Sequence, residues 1–249
     1  MTTKQRLNFN RTKSSNGFSR THLTRDSGEA LGAIEAEKVI PLASFIHLSD
    51  LHVCDAKSPA RVEFLDRFAD PDFATRSVFE YVGTYRPQEF LTLQVVEAMV
   101  QASNNIRSGP LLGAPIDGVL VTGDVIDNGQ FNELCWYMAL MDGGAVSSAS
   151  GDPTLLEAAH GSSENFADQH YFKPDSPAGN RVHELWGIPP IPGLASAAME
   201  PFTTSGLRHP WFAIHGNHDA LLQGTVRPDQ LLNDFVTGSE KLAGLVPGA

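Results

Sequence analysis

The sequence predicts an α/β protein built on a parallel sheet, and three observations carry that expectation. Ala43–Leu48 (ASFIHL), Gly118–Thr122 (GVLVT) and Pro210–His215 (PWFAIH) are short, apolar and rich in branched or aromatic residues, as strands buried on both faces are. Helical patterns lie between and after the first two. Each strand also runs directly into a polar cluster, and in a parallel sheet such clusters meet in one crevice at the carboxyl ends of the strands.

Taken in order, residues 1–40 are expected to be a flexible basic leader, with 41–249 forming the domain. Residues 1–25 hold six basic side chains and no acid, and they lack the apolar stretch of a secretory signal. An organelle-targeting leader is the competing reading of that segment. The strand at 43–48 ends in Ser49-Asp50-Leu51-His52. A helix is expected to start at Pro87, with Leu91, Val95, Met99, Ala102 and Ile106 on its apolar face and Gly109-Pro110 as its stop. The strand at 118–122 ends in Gly123-Asp124-Val125-Ile126-Asp127. The next helix carries Phe131, Leu134, Cys135, Met138 and Ala139 and closes at Gly143-Gly144. Residues 142–209 are rich in Gly, Pro, Ser and Ala and read as an irregular insertion where a lid would sit. The strand at 210–215 ends in Gly216-Asn217-His218-Asp219.

Composition narrows the function. With 41% hydrophobic residues and 14 Phe, the chain can bury a sizeable core and is neither disordered nor a disulfide-stapled miniprotein. No stretch approaches the ~20 apolar residues of a membrane span, so no membrane partner is expected. Beyond the first 25 residues, 12 basic side chains face 29 acidic ones, a formal charge of −17. Such a body repels long nucleic acids and attracts cations. Two cysteines fit a reducing compartment, and the cytoplasm is the expected location.

The polar clusters carry the chemistry. A lone Asp-x-His is expected by chance about once in ~400 positions, whereas a specified Gly-Asn-His-Asp arises in roughly one of 10⁵. Asp50-x-His52, Gly123-Asp124-x-x-Asp127 and Gly216-Asn217-His218-Asp219, in this order, resemble the first three motifs of the calcineurin-like metallophosphoesterase superfamily. The wording His47-Leu48-Ser49-Asp50-Leu51-His52 is most similar to its bacterial phosphodiesterase-like branch. The resemblance implies an α/β/β/α sandwich, of which this chain holds the first half plus the long insertion. It implies hydrolysis of small phosphomonoesters or phosphodiesters by in-line attack at phosphorus, assisted by two divalent metal ions (Mn, Fe or Zn). Asp50 and His52 would bind the first metal, Asp124 would bridge the two, and Asn217 would offer its amide oxygen to the second. His218 would be the catalytic imidazole, oriented by Asp219. Asp127 would fix its loop through backbone hydrogen bonds.

Plainer readings stand beside these. Asp50, Asp124 and Asp219 can cap turns or helices. His47 and His215 read as satisfied core histidines, Cys54 as a buried inert thiol and Cys135 as core. His170, Tyr171, Arg181, His183 and Trp186 in the insertion are kept out of the site, because packing explains them equally well. The superfamily completes its centre with later Gly-His and Gly-His-x-His motifs, yet no histidine follows His218. The chain is therefore expected to be the amino-terminal portion of a longer enzyme, with weak or no turnover of its own. The alternative is a non-catalytic interaction scaffold that keeps the fold.

Overall fold

In a computed structural model, the described residues are 6–13, 19–26, 40–61, 86–110, 113–152, 172–175 and 181–242. The three expected strands are present as β3 (Phe45–Leu48), β4 (Gly118–Thr122) and β7 (Trp211–Ile214). They form one parallel sheet in the order β3-β4-β7, with Ile46 beside Val119 and Val121 beside Ala213. Branched residues suit such strands because they pack well on a pleated surface.

Alternation along the strands decides what is buried. Ile46, Val119 and Val121 point into the core with Leu48 and Trp211 against it, and they meet Leu93, Val96 and Val100 of α1 (Thr92–Asn104). Trp136, Tyr137, Leu140 and Met141 of α2 (Phe131–Asp142) complete this cluster. The opposite face of the sheet carries Phe45, Leu120, Phe212 and Ile214, all exposed, the last two at 62% and 64%. Burial on both faces is therefore corrected to burial on one. The described residues hold this single parallel sheet and two antiparallel pairs, so the architecture is mixed α/β, and the second facing sheet of a sandwich is not among them.

Both expected helices form, with their faces shifted. A 3-10 turn at Glu89–Leu91 precedes α1, which ends at Asn104 rather than at Gly109-Pro110. Leu93, Val96 and Val100 are its buried apolar residues, while Val95 and Ile106 are exposed. In α2 the expected stripe is the outer face, with Phe131, Leu134 and Met138 exposed. Cys135 is likewise exposed, not core. Gly143 ends α2 with a φ of 91°, as the sequence anticipates.

Within the expected leader, β1 (Arg6–Lys13) and β2 (Ser19–Asp26) pair antiparallel. The insertion has more order than its composition suggests. β5 (Gly144–Val146) pairs antiparallel with β6 (Phe202–Thr204), so the segment leaves and rejoins the domain at one place. Between them lie α3 (Arg181–Trp186) and α4 (Leu194–Met199). Phe172, Val182 and Ala198 form a second small core with Ala56 and Phe90. His170 and Tyr171 lie outside the described residues, as do the side chains of Arg181 and Trp186, and His183 Nδ1 bonds the Ile188 carbonyl locally at 3.0 Å. After β7, Asp229 caps α5 (Gln230–Thr237) by accepting from the Leu232 N–H at 2.8 Å. No helix among the described residues is long and apolar enough to cross a membrane.

Candidate metal site at the carboxyl ends of the parallel strands

The loops that follow β3 and β4 stay paired after the strands end. Asp50 N–H donates to the Gly123 carbonyl at 3.2 Å, His52 N–H to Asp124 at 2.9 Å and Val53 N–H to Val125 at 3.0 Å. This extension brings two of the polar clusters side by side. Asp50, His52 and Asp124 all take left-handed backbone conformations, with φ of 56°, 47° and 51°. A non-glycine residue there costs of order 1–3 kcal/mol and turns its side chain off the strand direction. Three of the four residues assigned to metal ligation are strained in this way.

The third cluster arrives through close backbone contact. A Cβ at Gly123 would lie 2.8 Å from the Gly216 Cα, and one at Gly216 would lie 2.3 Å from the Asp124 nitrogen. Only glycine fits at either position. The resulting approach lets His218 N–H donate to Asp124 Oδ1 at 2.9 Å. One ligand atom each from His52, Asp124 and His218 then lie within 4.8 Å of one another, a spacing that can hold a metal ion.

Asp127 sets how the two rings face. Its Oδ1 accepts from His52 Nδ1 at 2.9 Å, His218 Nδ1 at 3.1 Å and Arg86 Nη2 at 2.5 Å, and its Oδ2 accepts from Arg61 Nη1 at 2.8 Å. The rings meet edge to face, with centroids 4.5 Å apart. A carboxylate on both Nδ1 atoms selects the Nδ1–H tautomers and leaves both Nε2 lone pairs for a cation. Burial by itself would raise the Asp127 pKa. The bond from His52 and the charges of Arg61 and Arg86 reverse this and hold the carboxyl well below the usual carboxylate range.

Two assigned roles change places. Asp219 accepts from Ile126 N–H at 2.9 Å and Gly216 N–H at 2.7 Å, so it fixes two loops rather than orienting His218. Nor does it cap a helix, because the 3-10 turn that follows begins after Ala220. Asp127 takes the orienting role, and its carboxylate bonds side chains rather than backbone. Asp50 is exposed at the rim, its oxygen 3.9 Å from His52 Nε2. Asn217 is exposed, and its Nδ2 donates to the Gln223 carbonyl at 3.3 Å, which leaves the Oδ1 atom for an ion.

The remaining candidates divide. Cys54 is buried as expected, and burial pushes its thiol pKa up, so it is inert. His47 and His215 are exposed rather than core, and His47 Nε2 pairs with Thr122 Oγ1 at 2.7 Å on the open sheet face. Arg61, Arg86 and Glu89 escape sequence reasoning, because no strand-end motif contains them and only folding sets them behind Asp127. Compared with protein-family models, curated proteins and solved structures, the chain matches none.

Proposed function

We propose that the protein is a metal-dependent hydrolase of small phosphomonoesters or phosphodiesters. One observation carries the reading: donor atoms of His52, Asp124 and His218, from the ends of three adjacent parallel strands, converge within 4.8 Å. The donor chemistry fits a divalent ion, since two neutral imidazoles and a carboxylate suit Mn, Fe or Zn. Asp50, with an oxygen 3.9 Å from His52 Nε2, and Asn217, next to His218 in the sequence, would extend the set toward a second ion. Bound there, such ions supply Lewis acidity toward a phosphoryl oxygen and acidify water.

The chain's own groups do the rest. Asp124 gives Oδ1 to the His218 N–H and keeps its other oxygen for ligation. His218, held at Nδ1 by Asp127, turns its Nε2 lone pair to the ion as the third ligand, which takes the place of the proton-carrying role that the resemblance implies for it. Asp219 keeps the second and third loops in register.

Calorimetric titration with manganese tests the reading, alongside a panel of aryl phosphomonoesters and phosphodiesters. Uptake is expected, weakened by about 10–100-fold in Asp124→Asn, and any hydrolysis, however slow, should follow ion occupancy. Uptake indifferent to Asp124→Asn, or turnover without the ion, sinks the proposal. A protein that takes up no ion at all is better read as a scaffold.

A further inference from the structure

We infer that Arg61 is a positioning residue of the metal site, acting through Asp127 on the rings of His52 and His218. The inference rests on the metal site proposed above. Arg61 is the largest fully buried side chain among the described residues. Its Nη1 donates to Asp127 Oδ2 at 2.8 Å and to Cys54 Sγ at 3.2 Å, and its Nη2 pairs with Glu89. Taking a guanidinium out of water is costly, and an apolar side chain of equal size often serves stability as well as a buried ion pair does. A buried ion pair of this kind is therefore weak evidence for a purely stabilising role of Arg61.

An orienting role accounts for Arg61. Asp127 serves both imidazoles and Arg86 through one oxygen, so a modest turn of its carboxylate would swing that oxygen off both Nδ1 atoms. Among the described residues, Arg61 is what holds the other oxygen. Glu89 anchors Arg61 in turn, and it also takes Arg86 Nε. Since Glu89 opens the 3-10 turn before α1, the chain of contacts runs from the helix entry through Glu89, Arg61 and Asp127 to the two rings. The planar fork makes this possible, because it reaches Asp127 and Glu89 with separate nitrogens.

Cobalt(II) titration of the full chain, followed by visible absorption, reads ligand geometry without any turnover. Arg61→Met is expected to stay folded by circular dichroism, to bind cobalt about 10-fold more weakly and to show shifted d–d bands. Wild-type affinity and an unchanged spectrum in Arg61→Met overturn the inference while leaving the metal site standing. A weaker affinity with an unchanged spectrum also overturns it, since that marks general loosening. Should Arg61→Met fail to fold, Glu89→Gln decides. It is expected to weaken cobalt about threefold with a smaller band shift, and wild-type behaviour there overturns the inference. Wild-type protein that takes up no cobalt overturns the metal site and this inference together.

Discussion

At the scale of single residues, the site depends on contacts that tolerate little change. Asp127 was legible as part of Gly123-Asp124-x-x-Asp127, but its task was not, because spacing cannot show which side chain turns toward which ring. The glycines were legible and are now explained. Gly123 and Gly216 touch where β4 and β7 end, and an added methyl at Gly216 would lie 2.2 Å from Asp124 Oδ1 and 2.3 Å from the Asp124 backbone nitrogen. Gly216→Ala is therefore expected to cost about 1–3 kcal/mol in urea denaturation and to weaken manganese binding by displacing Asp124. An unchanged midpoint together with unchanged affinity would show that the two loops have room the structure denies them.

At the scale of elements, the sequence placed three strands and two helices correctly and misjudged which sides they bury. Residues 131–142 include Phe, Leu, Cys, Trp, Tyr and Met around the whole helix, so periodicity offers more than one apolar stripe. The sheet chose the one with Trp136, Tyr137, Leu140 and Met141, and Trp211 fixed the choice. It stacks edge to face on Tyr137 with centroids 5.7 Å apart, and its Nε1 donates to Asp142 at 2.8 Å. The sheet is similarly two-sided in sequence and one-sided in structure. Val121→Ala should cost about 2–3 kcal/mol, because Val121 is 1% exposed. Phe212→Ser, on the open face, should cost well under 1 kcal/mol. Chemical denaturation of both variants checks the pair, and equal costs would mean that the second face is covered in solution.

At the scale of the whole molecule, buried charge joins the strand-end loops to the helices. Glu133, in the first turn of α2, accepts from the N–H groups of Asp55, Asn128 and Gln130 and from the Asn128 side chain. It thereby ties the loop after β3 to the loop after β4. Burial still outweighs these bonds and raises its pKa from 4.5 to about 7. A carboxyl whose folded pKa is raised binds its proton more tightly when folded, so its contribution is full below about pH 4.5 and is lost as pH rises to about 7. Stability measured by urea denaturation at pH 4.5 and 7.5 should carry this fall, and Glu133→Gln should remove it. A pH slope in Glu133→Gln equal to that of the wild type would place the origin elsewhere.

The sequence by itself determined the order of the three parallel strands and the two helices that accompany them, the three polar clusters at the strand ends and the glycines within those clusters. These are local matters of propensity, side-chain alternation and chirality, encoded within a few residues. Tertiary structure alone decided which helix stripe faces inward, that one sheet face stays open, and that Asp127 rather than Asp219 turns the histidines. It alone brought Arg61 and Glu89 behind the site. Those outcomes depend on which distant side chains share a small volume from which water is excluded, and no local pattern records that.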